Sequence, residues 1–101
     1  CISRVGAEPV FVDIRPDTMH MDVDRLRDFL ESECRRDVNG LLITPAGNRV
    51  RLVIPIHLFG SVCAMDELMD LCKTCELPVM EDAAQAVGAE YPSRQGPQQA
   101  G

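Results

Sequence analysis

Apolar residues along this chain follow two patterns, and the two patterns alternate. Short apolar runs flanked by turn residues occupy positions 9–14, 51–56 and 77–81, and each run predicts a β-strand. Positions 23–34 and 64–75 space their apolar residues by three or four, which predicts helices with one buried face. Strands that are apolar on both faces and separated by amphipathic helices pair in parallel through right-handed crossovers. The pattern therefore predicts an α/β fold.

The order of the elements predicts a mainly parallel sheet flanked by helices, with one inserted β-hairpin. Positions 40–50 hold two β-prone runs around the turn residues 45–48, which is typical of a hairpin. Three parallel strands do not complete a doubly wound sheet, so we expect a part of a larger domain rather than a small free-standing module. We assign this partial domain to residues 1–91, and a polar loop or truncated continuation to residues 92–101.

Both predicted helices carry end signals. Asp22 stands where it can cap the amino end of the first helix with its carboxylate. The second helix has Asp66 and Glu67 in its first turn and Lys73 in its last, which is the charge order that the helix dipole favours.

Composition narrows the possible partners. The net charge is −6 and the densest basic spot is Arg35–Arg36, whereas contacts to nucleic acid need clustered lysines and arginines. No apolar run approaches the roughly 20 residues that span a bilayer. A charged-then-apolar leader is also absent, so we expect a cytoplasmic protein with no nucleic-acid or membrane partner.

The five cysteines invite a metal or disulfide interpretation, which their spacing does not favour. They are Cys1, Cys34, Cys63, Cys72 and Cys75. A structural zinc site needs a second ligand pair beside the single C-x-x-C, and His20 and His57 are far apart in the sequence. Cys72 and Cys75 also close a predicted helix, whereas the amino end is where a helix lowers a thiol pKa. We therefore predict no metal site, and buried apolar roles for this pair.

Positions 79–89 contain the strongest candidate for chemistry. The sequence Val-Met-Glu-Asp-Ala-Ala-Gln-Ala-Val-Gly-Ala ends an apolar run in two acids and continues in small residues with one amide. A buried strand of this kind delivers Asp82 to the carboxyl edge of a sheet, where open α/β sheets bind ligands. Pleat alternation directs Glu81 to the opposite side. The alternative is that Asp82 only caps the following turn.

Four segments, in order and spacing, resemble the DegT/StrS family of pyridoxal-phosphate-dependent sugar aminotransferases. They are V-G-A-E-P-V-F-V-D-I at 5–14, P-D-T-M-H-M-D at 16–22, P-I-H-L-F-G at 55–60 with Met65-Asp66 after it, and L-P-V-M-E-D-A-A-Q-A at 77–86. The resemblance implies the large domain of the aspartate-aminotransferase type, fold type I. It also implies that Asp82 binds the pyridine nitrogen of the cofactor and that Gln85 contacts the ring near its phenolic oxygen. His57 would border this site, or would serve as a satisfied structural histidine.

The resemblance implies an activity for the parent protein. With pyridoxal 5′-phosphate as cofactor, it would transfer an amino group, from glutamate as amino-acid donor, to a nucleotide-linked keto-sugar, as a homodimer. The Schiff-base lysine would lie beyond Gly101, and the only lysine here, Lys73, ends an outer helix ahead of the site strand. We therefore expect no catalytic residue in this chain and no activity from it alone. One alternative is a sugar dehydratase or regulatory relative, and another is a non-catalytic α/β module that binds a ligand or a partner.

Two positions depart from the family pattern. Glu76 stands where many members place glycine after the helix, so this turn must accept a side chain. The predicted hairpin at 40–50 lengthens a connection that is short in most members.

Overall fold

The first helical segment begins at a side-chain cap and ends in a wider turn. In the computed structural model, which describes residues 2–101, helix α1 spans Val23–Asp28 and continues as a π-helical turn over Phe29–Glu33. The Asp22 carboxylate accepts the N–H groups of Asp24 and Arg25, at 3.0 and 3.3 Å, which confirms the predicted cap. The Cys34 N–H reaches back five residues to the Phe29 carbonyl at 3.0 Å, the spacing of a π-helix.

Helix α2 spans Met65–Thr74 and ends in a left-handed turn. Glu76 adopts a φ of +57°, a conformation that normally favours glycine. Its N–H donates to the Lys73 carbonyl at 3.2 Å, and the Leu77 N–H donates to the Cys72 carbonyl at 2.8 Å. These two bonds form a Schellman motif, so the chain closes α2 in the glycine geometry with a glutamate in place.

The segments 51–57 and 77–82 lie side by side and run in the same direction, and we call them the parallel pair. Bridges join Val53 to Val79 and Ile56 to Asp82. Four backbone hydrogen bonds of 2.9–3.0 Å connect them, from Val53 to Pro78, from Met80 to Val53, from Asp82 to Pro55 and from His57 to Asp82. Pro55 would be the next donor between Val53 and His57, but it has no N–H. The predicted parallel pairing is confirmed here as a ladder that lacks one bond.

The predicted strand at 9–14 is wrong in its partner and in most of its length. Within residues 2–101 its pairing is limited to the last two residues, where Ile14 bridges Met21 in antiparallel fashion and the Asp22 N–H donates to the Asp13 carbonyl at 3.0 Å. Phe11 is 91% exposed. An apolar run specifies a strand only where a neighbouring strand supplies the other half of the hydrogen bonds, and the run itself carries no information about that partner.

The hairpin at 40–50 is confirmed and forms part of a longer antiparallel arrangement. Strand β2, Leu42–Ile43, folds back through the turn 45–48, with Ile43 bridged to Arg49 and the Val50 N–H bonded to the Leu42 carbonyl at 2.9 Å. On its other side β2 pairs with β1, Arg35–Arg36, which the sequence analysis did not predict.

The polar end of the chain forms a second hairpin, whereas its composition predicted a loop. Strand β3, Glu90–Tyr91, pairs antiparallel with β4, Gln98–Gln99. Arg94, in the connecting turn, donates its N–H to Asp66 at 2.9 Å and its guanidinium to Asp70 at 2.6 Å, both on α2. The division of the chain near residue 91 stays a prediction, and the hairpin crosses it.

The apolar core lies between the two helices and one face of the parallel pair. Its buried members are Val23, Leu26, Leu30, Leu42, Val53, Leu68, Leu71, Cys72 and Cys75. The chain therefore has an α/β fold in which helices cover a parallel pair, with two small antiparallel sheets beside it. Among residues 2–101, no helix combines the length and the apolar character that crossing a bilayer needs.

Candidate active site

The carboxyl end of the parallel pair brings Asp82 to the edge that the sequence predicted. The Asp82 N–H donates to Pro55 and its carbonyl accepts the His57 N–H, both at 2.9 Å, so its backbone is fixed on both sides. Its bridge partner Ile56 is 49% exposed, which places Asp82 on the face opposite the helices. The side chain of Asp82 is exposed at that edge. It is therefore accessible to a ligand that approaches the open face.

The two oxygens of the Asp82 carboxylate differ in their contacts. Oδ1 accepts the Ala84 N–H at 3.2 Å, which is the turn cap that the alternative interpretation requires. Within residues 2–101 this is the bond that the carboxylate makes to the protein, and it orients the group without consuming both oxygens. Turn capping and ligand binding are therefore compatible at Asp82.

We call the segment 77–82, which carries Asp82, the site strand. Gln85 follows it and bonds to the turn that follows the 51–57 segment. Its side-chain Oε1 accepts the Phe59 N–H at 3.3 Å, and its backbone carbonyl accepts the Gly60 N–H at 3.0 Å. The NH₂ group of an amide can only donate, so the group of Gln85 that accepts the Phe59 N–H must be its oxygen. The Gln85 NH₂ group remains as a donor, three residues after Asp82 in the chain.

Phe59 is the residue that sequence reasoning missed at this turn. Its φ is +57°, which is uncommon for a bulky side chain, and the ring is exposed. Strained backbone of this kind clusters at ligand sites, where the surrounding structure holds it in place. The sequence carried no signal for the positive φ of Phe59, because a positive φ is expected at the following glycine, Gly60, and not at a bulky residue.

His57 is fully buried, and both of its ring nitrogens are hydrogen-bonded. Nε2 lies 3.0 Å from Glu81 Oε2, and Nδ1 accepts the Cys63 N–H at 3.3 Å. Because Nδ1 accepts, the proton is on Nε2, and the neutral ring donates to Glu81. His57 is thus a satisfied histidine, one of the two roles considered for it, and it contacts Glu81 rather than Asp82. Glu81 lies on the helix side, as pleat alternation predicts.

The cysteines take the apolar roles that were predicted for the C-x-x-C pair. Cys72 and Cys75 are buried in the core, and burial raises the pKa of the Cys72 thiol to about 11. A thiol in this state is a poor metal ligand and a poor nucleophile. The described residues bring no three His, Cys, Asp or Glu side chains together as a metal site, and Cys1 lies outside them.

A sequence profile described as the DegT/DnrJ/EryC1/StrS aminotransferase family matches residues 1–100. The chain belongs to this family. The resemblance inferred from four segments is thereby confirmed over nearly the whole chain.

Individual members of the family are similar along most of this chain. The putative pyridoxal phosphate-dependent aminotransferase EpsN of Bacillus subtilis is 37% identical over 89 residues, which is 88% of this chain and 20% of that protein. The UDP-4-amino-4-deoxy-L-arabinose–oxoglutarate aminotransferase of Shewanella sediminis is 37% identical over 90 residues, 89% of this chain and 19% of that protein. The chain thus spans about one fifth of the length of the relatives it matches.

A solved structure supports the fold of this family member. The crystal structure of a DegT DnrJ EryC1 StrS aminotransferase from Brucella abortus matches with a TM-score of 0.70 and 30% sequence identity. The match covers 85% of this chain and 21% of that protein. The α/β fold is therefore shared with a family member of known structure.

Proposed function

We propose that this chain forms the part of a pyridoxal-phosphate-dependent aminotransferase that holds the cofactor ring. The observation that carries the proposal is the exposed Asp82 carboxylate at the carboxyl end of the parallel pair, with the Gln85 amide in the turn that follows it. The relatives in Bacillus and Shewanella, whose names include pyridoxal phosphate in one case and a UDP-sugar with oxoglutarate in the other, support the reaction class. The whole enzyme would transfer an amino group from glutamate to a nucleotide-linked keto-sugar.

The residues at this edge suit the two polar ends of the cofactor ring. A protonated pyridine nitrogen needs an anionic acceptor, and Asp82 offers a carboxylate whose second oxygen is not engaged by the turn. The phenolic oxygen needs a donor, and the Gln85 NH₂ is the group that the Phe59 N–H leaves available. The chemistry of the donor set therefore fits the cofactor.

With the cofactor bound, Asp82 would hold a proton on the ring nitrogen and Gln85 would help to orient the ring. A carboxylate in contact with the nitrogen raises the pKa of that nitrogen by charge pairing. When bound, pyridoxal phosphate supplies an electron sink that stabilises negative charge on the carbon undergoing proton transfer. The Asp82 backbone, hydrogen-bonded through both its N–H and its carbonyl, would keep the carboxylate in a fixed position against the ring nitrogen.

We further propose the arrangement of the intact enzyme. The parallel pair with its two helices belongs to the large domain of a fold-type-I enzyme, in a mainly parallel sheet with the 40–50 hairpin inserted, and the enzyme is a homodimer. The lysine that binds the cofactor lies outside this chain, because Lys73 ends α2 away from the site edge. Residues 1–101 alone would accordingly have no aminotransferase activity.

Substitution of Asp82 tests this function in the full-length enzyme. Asp82→Asn keeps the size of the side chain and removes its charge, so we expect kcat for amino transfer to fall by at least about 100-fold. The apoenzyme should also bind pyridoxal phosphate more weakly in an absorbance titration. Asp28→Asn, an exposed position on α1, is the matched control and should change neither quantity. If Asp82→Asn had wild-type turnover and wild-type cofactor affinity, the role of Asp82 would be limited to capping the turn, and the proposal would be refuted.

A further inference from the structure

His57 makes three hydrogen bonds that converge on the residues around Asp82. Its backbone N–H donates to the Asp82 carbonyl at 2.9 Å. Its ring donates from Nε2 to Glu81 Oε2 at 3.0 Å and accepts the Cys63 N–H on Nδ1 at 3.3 Å. A single buried side chain thus links the end of the site strand, the adjacent segment and the loop that leads into α2.

The backbone ladder of the parallel pair has one gap close to this link. The donors of the 51–57 segment face the site strand at every second residue, and the middle one is Pro55, which donates nothing. The 51–57 segment therefore donates to the site strand from Val53 and His57 with a gap between them, while Met80 and Asp82 donate in the opposite direction. The contact of the His57 ring with the Glu81 side chain adds a bond between the two segments next to this gap.

We propose that His57 and Glu81 form a positioning pair that sets the place of the Asp82 carboxylate, an inference that rests on the proposed function of Asp82. Glu81 and Asp82 are consecutive in an extended segment and point to opposite faces. Fixing the Glu81 side chain against the buried ring restricts rotation of the peptide that the two residues share. The orientation of Asp82 on the open face is thereby set from the helix side.

The polarity of this pair argues for positioning rather than packing. An apolar pair of similar volume would fill the same space without the cost of removing a carboxylate from water, and such replacements are often neutral or stabilising. Glu81 retains a 29% exposed side chain and accepts a second donor, the Gly101 N–H at 3.3 Å. Both donors bond the same oxygen, Oε2, and such directional bonds are useful where an adjacent residue must be held at a defined angle.

A double-mutant cycle in the full-length enzyme separates positioning from general stability. The dissociation constant of pyridoxal phosphate is measured by titration of apoenzyme carrying His57→Asn, Asp82→Asn or both. His57→Asn retains an acceptor for the Cys63 N–H and loses the bond to Glu81. We expect it to weaken cofactor binding about tenfold in the wild-type background and to have no further effect when Asp82→Asn is present.

Three further variants test the same coupling independently of whether His57→Asn folds. Glu81→Ala removes the acceptor at a partly exposed position, so it avoids the risk that His57→Asn does not fold, and it should show the same coupling to Asp82. His57→Gln retains a donor that reaches Glu81, and we expect affinity within about threefold of wild type. Glu31→Gln, on an exposed face, is the matched control and should leave the dissociation constant unchanged.

The possible results separate the two proposals. If His57→Asn and Glu81→Ala weakened cofactor binding by the same factor with and without Asp82→Asn, the pair would have a structural role only. That result would overturn the positioning proposal and leave the proposed function of Asp82 intact. Wild-type affinity in both variants would overturn the positioning proposal as well. A wild-type dissociation constant in Asp82→Asn would instead overturn the proposed function.

Discussion

Glu81 and Asp82, consecutive residues of the site strand, have different roles because they lie on opposite faces. Glu81 points to the helices and binds a buried ring, whereas Asp82 points to the open face and caps a turn with one oxygen. Both directions follow from the pleat, so the sequence predicts them once the strand is identified. The left-handed Phe59 and the bond from its N–H to Gln85 do not follow from it, because local preference argues against a positive φ there.

Thiol reactivity tests the state of the buried cysteine pair. Burial raises the pKa of Cys72 from 9.0 to about 11, so at pH 8 the folded protein should hold about 100-fold less thiolate there than the unfolded chain. We expect slow labelling of Cys72 by iodoacetamide at pH 8, measured by mass spectrometry of the labelled peptides. The neutral thiol is favoured in the folded state, so its contribution to stability is present below pH 9 and is lost as the pH rises towards 11.

The less buried Cys34 is the internal control for this measurement. Burial also raises the pKa of its thiol, but its side chain remains partly accessible. We therefore expect Cys34 to be labelled faster than Cys72 in the same sample. Equal rates for the two would contradict the assignment of Cys72 to a closed core.

Elements whose signals are local were predicted well, and those that need a distant partner were not. The cap at Asp22 and the spacing of apolar residues determine α1 within the chain segment itself. The run at 9–14 has the composition of a strand, but its pairing depends on residues that the run does not specify. The polar hairpin of β3 and β4 went unpredicted because no apolar alternation marks its two short strands.

The end of α2 offers a test at the scale of one element. Glu76→Gly removes the steric cost of a left-handed glutamate, so we expect the free energy of unfolding to rise by about 1 kcal/mol, in spite of the added freedom of glycine in the unfolded chain. The measurement is urea unfolding of the intact protein. Glu76→Ala is the control, since it also removes the 3.8 Å ion pair with Arg36 but keeps a Cβ in the strained conformation. A gain in Glu76→Ala as large as that in Glu76→Gly would attribute the effect to charge rather than to backbone strain.

At the scale of the whole molecule, the arrangement of helices over a parallel pair follows from the order of elements, and the site follows from that arrangement. Parallel segments have their carboxyl ends at one edge, so any acid that ends one of them lies beside the turn that ends the other. This geometry joins Gln85 to Phe59 across 26 residues of sequence. The missing bond at Pro55 and the side-chain bond from the His57 ring to Glu81 beside it are tertiary details that no single segment encodes.

Helix α2 contacts both the apolar core and the surface hairpin of β3 and β4. The contribution of each to the stability of α2 can therefore be compared. Leu68 is fully buried between the helices and the parallel pair, and Leu68→Ala should cost about 3 kcal/mol through lost contacts and a cavity. Arg94→Ala removes an exposed ion pair with Asp70 and should cost less than about 1 kcal/mol. In the intact protein, amide hydrogen exchange across residues 65–75 should therefore accelerate about 100-fold in Leu68→Ala and less than tenfold in Arg94→Ala. If the two variants accelerated exchange equally, the hairpin of β3 and β4 would stabilise α2 as strongly as the core does, which its exposed contacts do not predict.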